Sequence, residues 1–335
     1  MSRAEVTIAI PAFNAGPFIE RCVRSALAAA GPADEVLLLD DASADDTVAR
    51  ATEIRDPRFT VVEHAANVGR AENVKRALEA GTAPFVQLLP ADCALPAEGI
   101  AARAKALREH SQATFAFGAA ELCDKHDRVL GHRRFGSFPG LRSVLDSPGP
   151  FLPSNRVFLS TCLIRREAYD AVGGLILDVA PTHRDWDLLL RLGLVGPVAY
   201  VPEVAAVERV HEGNVTAALT RDDRIVTAEL LVLDAVRRWA AARAPEASER
   251  LAVATRQWAS RRIAHALLAI AGYTESDPAR ALGCALTLEP ALRRSPRYHA
   301  ALWASALPPG LVRPVLRPLL APFDRRRRAR WNLSG

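Results

Sequence analysis

The residues in this chain best suited to chemistry are carboxylates that recur just after short apolar runs. Asp40 and Asp41 follow Glu35–Leu39, and Asp92 follows Phe85–Leu89. A carboxylate repels phosphate, yet it can hold one through a divalent ion, and it can accept hydrogen bonds from ribose or base donors. Acids gathered at one edge of a sheet therefore suggest a nucleotide bound through Mg²⁺ or Mn²⁺. Competing nucleotide signatures are missing from the sequence: no GxGxxG follows the first apolar run, and there is no Walker loop.

These acids need elements to position them. Val6–Ile10, Glu35–Leu39, Phe59–Glu63 and Phe85–Leu89 read as buried strands. Helical spacing between them falls at Phe18–Ala30, 45–54 and about 70–80. Short apolar strands alternating with helices imply βαβ units and a parallel sheet covered on both faces. Ligands of such sheets sit beyond the carboxyl ends of the strands. Asn14, Asp40, Asp41 and Asp92 all fall at such ends. Further on, the pattern predicts a helix over 98–109, a strand over Thr114–Leu122 and a turn at Asp124–Arg128. It then predicts a strand over Leu159–Ile164, a helix over Arg165–Val172 stopped by Gly173-Gly174, and a helix over Asp185–Leu192 ending at Gly193. From about 222 onward Ala, Leu and Arg recur at helical spacing, with prolines accumulating after Pro308. The expected organisation is an α/β domain over 1–220 and a helical, arginine-rich extension over 221–335.

With 335 residues, 50% hydrophobic and 24% charged, the chain can bury a full-sized core. That composition excludes disordered, collagen-like and disulfide-scaffold classes. The five cysteines (Cys22, Cys93, Cys123, Cys162, Cys284) form no CxxC pair, which argues against a zinc knuckle or dithiol site and fits a reducing compartment. The start, MSRAEVTIAIPAFN, is interrupted too quickly for a signal peptide, and no run approaches about 18 apolar residues. A cytoplasmic location is expected, with peripheral contact on the inner face of the membrane. The net charge of +5 is uneven: residues 222–335 hold 19 arginines against 10 acids, a balance of +9, and the remainder carries −4. An acidic site half and a basic tail half would have different partners.

Six segments, in order over about residues 4–216, resemble the inverting family 2 glycosyltransferases of the GT-A fold. They are Ile10-Pro11-Ala12-Phe13-Asn14, Leu39-Asp40-Asp41-Ala42-Ser43-Ala44-Asp45-Asp46-Thr47, Asn67-Val68-Gly69, Tyr169-Asp170-Ala171-Val172-Gly173-Gly174, Asp185-Trp186-Asp187-Leu188-Leu189-Leu190-Arg191 and Arg209-Val210-His211. The resemblance implies that Pro11, Ala12 and Asn14 touch a nucleobase, that Asp41 receives the base edge, and that Arg70 approaches the nucleotide. From the residues alone, Asp40 and Asp41 fit an Asx-turn cap as well, and Arg70 a solvated charge. Asp45 and Asp46 are better explained as helix N-terminal acids.

The metal motif departs from the family pattern. The usual Asp-x-Asp reads Pro90-Ala91-Asp92, followed by Cys93, a soft and poor ligand for a hard ion. Asp92 alone could still bridge Mn²⁺ or Mg²⁺ to a diphosphate, with His211 completing the shell as the resemblance implies. The resemblance places the catalytic base at Asp185, which would take the proton of the acceptor hydroxyl. Its neighbour is Arg184 where the family has an acid, and that cation is expected to lower the Asp185 pKa. Capping of the 185–192 helix is the other reading of Asp185. Trp186 would stack on an acceptor sugar or pack beneath the loop. The stretch 130–160 reads as a mobile loop, with His132, Arg133 and Arg134 suited to an anionic acceptor or simply solvated.

Together these readings give an inverting transfer from a nucleotide-sugar donor to a glycan or lipid-linked acceptor hydroxyl, in surface glycan or polysaccharide synthesis. The arginine-rich tail ending in Arg325–Arg328 and Trp331 would lie against a membrane, and no nucleic-acid partner is expected. The degraded metal motif leaves a second reading open, a non-catalytic or weakly active nucleotide-sugar binding protein. A nucleotidyltransferase would want a glycine-rich loop where Pro11–Asn14 stands.

Overall fold

The computed structural model describes residues 4–135, 140–145, 151, 155–180, 182–210, 224–273 and 277–331. The chain divides into two compact units, one essentially within residues 1–211 and one within 212–335.

The first unit opens with β1 (Val6–Ala12), α1 (Gly16–Ala29), β2 (Glu35–Asp40), α2 (Thr47–Thr52), β3 (Phe59–Glu63), α3 (Arg70–Glu79), β4 (Phe85–Leu88) and α4 (Gly99–Glu109). The strands pair in parallel in the order β3-β2-β1-β4. Ile8, Ile10, Val36, Leu38 and Val86 are wholly buried, as strands covered on both faces require. Pro11 is tolerated in β1 because pairing with β4 extends only to Ala9. The remaining elements are β5 (Phe115–Cys123), β6 (Val129–Arg133), β7 (Gly140–Arg142), a 3₁₀ turn (Leu159–Thr161), β8 (Cys162–Arg165), α5 (Arg166–Ala171), α6 (Arg184–Val195) and β9 (Val198–Arg209). β8 runs antiparallel between β4 and β5, and β9 lies parallel to β5. The carboxyl ends of β1, β2, β4, β5 and β9 therefore share one edge of a mostly parallel mixed sheet.

One strand is added to those read from the sequence, and two expectations are corrected. β9 reads poorly as a strand because Pro202 and Glu203 interrupt it, and the structure places them in a bulge where the β5 register shifts between Phe117 and Ala119. Gly118 permits that bulge: a Cβ there would meet the Glu203 carbonyl oxygen at 2.8 Å. α6 runs through Gly193 to Val195, since that glycine makes room for Val144 instead of ending the helix. Within 130–160, the described residues 129–133 and 140–142 pair as strands with β5 and β9, so this stretch is not a single loop.

The sheet is tied together by a buried cation. Arg103 on α4, 0% exposed, donates to the carbonyls of Gly99, Thr161 and Ala205 and to Gln87 Oε1. Those partners belong to α4, the 3₁₀ turn, β9 and β4, so one guanidinium links the early and late halves of the sheet. Burial pulls its pKa down to about 10, and it stays charged at neutral pH.

The second unit is helical: α7 (Arg224–Arg243), α8 (Pro245–Ile270), α9 (Pro278–Leu288), a 3₁₀ turn (Pro290–Arg294), α10 (Pro296–Ser305) and α11 (Pro309–Trp331). Proline opens each helix from α8 onward, where its missing N–H costs nothing. Trp258 and Ile263 on α8 are buried, and the Trp258 indole donates to Glu229 of α7 at 3.1 Å. Arg262 lies 3.2 Å from the same carboxylate, a buried ion pair that fixes α7 against α8. No helix among the described residues is long and apolar enough to cross a membrane.

Arg103→Ala leaves Gln87 Oε1 and two buried carbonyls without their donor, so urea unfolding should show a loss of about 3 kcal/mol. Arg108→Ala, which removes an exposed pair with Glu5, should change stability by less than about 1 kcal/mol.

Candidate active site

Three groups of residues stand along the carboxyl edge of the sheet. The first is built around Asp41, 1% exposed, directly beyond β2. Its own N–H donates to the Ala12 carbonyl at 2.9 Å, which fixes it to the end of β1. Its two carboxylate oxygens accept the N–H groups of Val68 at 2.7 Å and Gly69 at 3.0 Å, while Asn67 Nδ2 donates to its carbonyl. Gly69 has φ 88°, a conformation glycine adopts without steric cost, and it leads directly into α3 at Arg70. Asn73, one turn further, donates to the carbonyls of Ala12 and Leu39. Each carboxylate oxygen has two acceptor directions, so Asp41 keeps capacity beyond the loop it holds.

Asp40 behaves differently from its neighbour: it accepts the Ser43 N–H at 2.8 Å and the Ser43 hydroxyl, which is the turn-capping role. Asn14, at φ 49°, bonds the same loop, donating its N–H to Ser43 Oγ and accepting the Ala44 N–H at Oδ1. Pro11 and Ala12 form the end of β1 beneath it. Asp45 accepts the N–H of Gly16 at the start of α1, and the Thr47 N–H and hydroxyl at the start of α2. Burial disfavours its charge, but the bonds from Thr47 and Gly16 outweigh it and hold the carboxyl below the ordinary range. Asp45 is thus a helix-terminal anion.

The second group surrounds Asp92. Its carbonyl accepts from Arg209 Nε at 3.1 Å, and Arg209, 4% exposed, also bonds the Asp124 carbonyl and the Asp127 carboxylate. This guanidinium fixes the turn after β4 to the end of β9. Beside it is Glu208, a residue that sequence reasoning missed because its strand was not recognised. Burial pushes the Glu208 carboxyl up to about 7 and the nearby Asp92 charge pushes the same way, while the Ser160 hydroxyl, Cys93 and Arg133 oppose them. Cys93 is buried, and burial followed by the Glu208 and Asp92 charges drives its thiol well above the ordinary range. Asp92 and Glu208 supply two hard oxygen donors whose mutual repulsion a divalent cation would relieve. This suits an ion of the Mg²⁺ type, which completes its shell with water and phosphate oxygens. Among the described residues no cluster of three such ligands is present, and His211 lies outside the described residues.

The third group is at the N-terminus of α6. Asp185 is partly buried; its Oδ1 accepts the Trp186 N–H at 2.8 Å and its Oδ2 accepts Asn155 Nδ2 at 2.9 Å. Burial raises its pKa to about 6 against the opposing pull of the Trp186 N–H, the Arg70 charge and the Asn155 amide. The expectation that Arg184 would lower this pKa fails: the Arg184 Nε donates to the Leu177 carbonyl, and the cation that acts on Asp185 is Arg70. Arg70 follows directly on the loop clasped by Asp41, so the first group and the third are coupled. Asp187 is locked elsewhere, in a buried pair with Arg191 at 2.6 Å, and Arg191 also holds the carbonyls of Val172 and Gly174.

The acceptor residues are placed unevenly. Trp186 is 0% exposed and its indole donates to the Phe151 carbonyl, so it packs beneath α6 and offers no face to a sugar. Arg133 lies over the Phe158 ring at 4.3 Å, with burial lowering its pKa to about 10, whereas Arg134 is exposed. Asn155, the partner of Asp185, carries no signal in the sequence. Asn155→Ala removes a donor to the charged carboxylate, so a ¹³C-NMR titration should place the Asp185 pKa above its value in the unsubstituted protein. An unchanged titration would mean that the amide does not hold the carboxylate.

Residues 7–173 match the profile of glycosyl transferase family 2. The uncharacterized protein MT1568 of Mycobacterium tuberculosis (strain CDC 1551 / Oshkosh) is 26% identical over 241 residues, 68% of this chain and 72% of that protein. The succinoglycan biosynthesis protein ExoO of Rhizobium meliloti (strain 1021) is 33% identical over 88 residues, 26% of this chain and 25% of that protein. Among solved structures, S. aureus TarS 1-349 in complex with UDP-GlcNAc superposes with a TM-score of 0.57 at 14% identity, over 87% of this chain and 92% of that one. The mannosyltransferase PcManGT from Pyrobaculum calidifontis, in complex with GDP-Man and Mn²⁺, superposes with a TM-score of 0.51 at 22% identity, over 91% and 87%. At these identities the superpositions establish a shared GT-A-like fold. The parallel sheet, its acidic carboxyl edge and the family profile agree: the chain carries a glycosyl transferase family 2 domain over residues 7–173 and is a glycosyltransferase.

Proposed function

We propose that this glycosyltransferase moves a sugar from a nucleoside diphosphate donor to an acceptor hydroxyl with inversion at the anomeric carbon. The observation that carries the reading is Asp185, a partly buried carboxylate with its pKa raised to about 6 and one oxygen held by Asn155. A base poised near the working pH is what removal of a hydroxyl proton needs. Asp187, the nearest carboxylate in the sequence, is consumed by Arg191 and is not free to form a covalent sugar intermediate. A single displacement follows. The acceptor oxygen bonds to the anomeric carbon as the bond to the diphosphate oxygen breaks, and the hydroxyl proton passes to Asp185.

The nucleobase would lie against Pro11, Ala12 and Asn14, with Asp41 accepting from the base edge while it holds the 67–69 loop. Arg70 would face the donor phosphates. Asp92 and Glu208, with His211, would hold a divalent ion whose charge, when bound, stabilises the departing diphosphate. The UDP-GlcNAc and GDP-Man complexes of the two structural neighbours support a nucleotide-sugar donor here, and the similarity to ExoO supports a role in polysaccharide synthesis. A lipid-linked glycan acceptor fits an enzyme on the cytoplasmic side of a membrane, with the C-terminal extension keeping it there.

Donor hydrolysis across a panel of UDP, GDP and dTDP sugars tests the reading. One donor should turn over with Mn²⁺ or Mg²⁺, and Asp185→Asn should lower kcat by about 10²–10⁴ with KM for the donor little changed. Turnover that survives chelator would remove the ion from the scheme, and saturable binding of a donor without any turnover would indicate a binding protein. The pH dependence has a definite sign: because the base must be unprotonated, kcat/KM should fall as pH drops through about 6.

A further inference from the structure

α11 displays an apolar stripe on its outer side. Leu311, Val315 and Leu319 are 68%, 63% and 65% exposed and recur every four residues. Pro314, Pro318 and Pro322, also exposed, fall at the intervening i+3 and i+7 positions. Together the six residues cover one face for about 16 Å along the helix. One flank is already used: Val312 and Leu316 pack with Ile270, Ala304 and Leu307. The basic flank is anchored as well, since the Arg317 guanidinium lies 5.7 Å from the Tyr273 ring centre and the Tyr273 hydroxyl donates to the Arg317 carbonyl. The stripe therefore faces outward because both other faces are committed.

We propose that this stripe seats α11 on the surface of an anionic lipid bilayer. Arg317 is exposed along one border of it, Arg325–Arg328 and Arg330 follow in the same helix, and residues 222–335 carry a balance of +9. An apolar face bordered by arginines is the pattern that partitions into the headgroup region of an acidic membrane. A second copy of the chain fits less well, because pairing two such helices would set arginine against arginine. The prolines fix the depth. Each removes a backbone N–H and leaves the carbonyl four residues earlier without its helical partner. Those carbonyls need water, so the helix rests at the interface and does not sink into hydrocarbon.

This inference deepens the membrane-side reading of the extension. Its test, co-sedimentation of the full chain with lipid vesicles, is scored apart from donor turnover, so either can fail alone. Vesicles of phosphatidylcholine containing phosphatidylglycerol should bind the protein, and phosphatidylcholine alone should bind it about tenfold or more weakly. The triple variant Leu311→Gln, Val315→Gln, Leu319→Gln keeps every charge and should lose binding by about tenfold or more. Its helical circular dichroism and its donor turnover in solution should be unchanged. Equal binding by the triple variant, absence of binding by the unsubstituted chain, or equal affinity for neutral vesicles would overturn the proposal. So would sedimentation equilibrium showing a dimer that the triple variant abolishes, since a second copy would then cover the stripe.

Discussion

The acidic edge of this enzyme depends on a negative charge held by backbone N–H groups. Asp41 is almost wholly buried and accepts from Val68 and Gly69, while its own N–H is fixed to the end of β1. Such charge-assisted bonds are each worth roughly 1.5–3 kcal/mol. They close the loop after β3 over the ends of β1 and β2 and set where α3 begins. Since α3 begins at Arg70, the same clasp fixes the backbone of the residue whose charge lowers the Asp185 pKa. Removing the Asp41 charge would loosen the loop and also the electrostatic setting of the residue we read as the base.

On the proposed reading, Glu208 would make up for the acid that the degraded Asp-x-Asp lacks. Pro90 stands where one acid would be, while Glu208 at the end of β9 is near enough for the Asp92 charge to raise its pKa. Arg209, the next residue, bonds the Asp92 carbonyl and ties the two strand ends together. One short segment of β9 thus carries both Glu208 and the guanidinium that holds the Asp92 backbone carbonyl. The bulge at Pro202, which Gly118 allows, lets β9 stay paired with β5 as far as these residues.

Much of this was legible in the sequence because the early strands are uniformly apolar and their ends are punctuated by Asp40, Asp41 and Asp92. The parallel half of the sheet, its helices and the helical C-terminal half follow from period and punctuation alone. β9 was not legible, since a bulged strand breaks the alternation that marks a strand, and Glu208 was lost with it. Trp186 was left between two readings because an aromatic residue next to a reactive one reads the same whether it faces a ligand or the core, and only its burial decides. The influence of Arg184 on Asp185 was misjudged for a related reason: neighbours on a helix point in different directions, and the Arg184 Nε bonds to the Leu177 carbonyl. Asn155 is thirty residues from the carboxylate it holds, a pairing no local pattern encodes.

The central claim is a single displacement in which Asp185 takes the acceptor proton. The anomeric configuration of the product tests it most directly, followed by ¹H NMR during turnover of an α-linked nucleotide sugar. The account predicts that the first-formed product is the β-anomer, with a large vicinal coupling between its axial H1 and H2 where the sugar has the gluco configuration. An α-linked product would contradict it, because a single displacement by the acceptor from the face opposite the leaving diphosphate must invert the anomeric carbon.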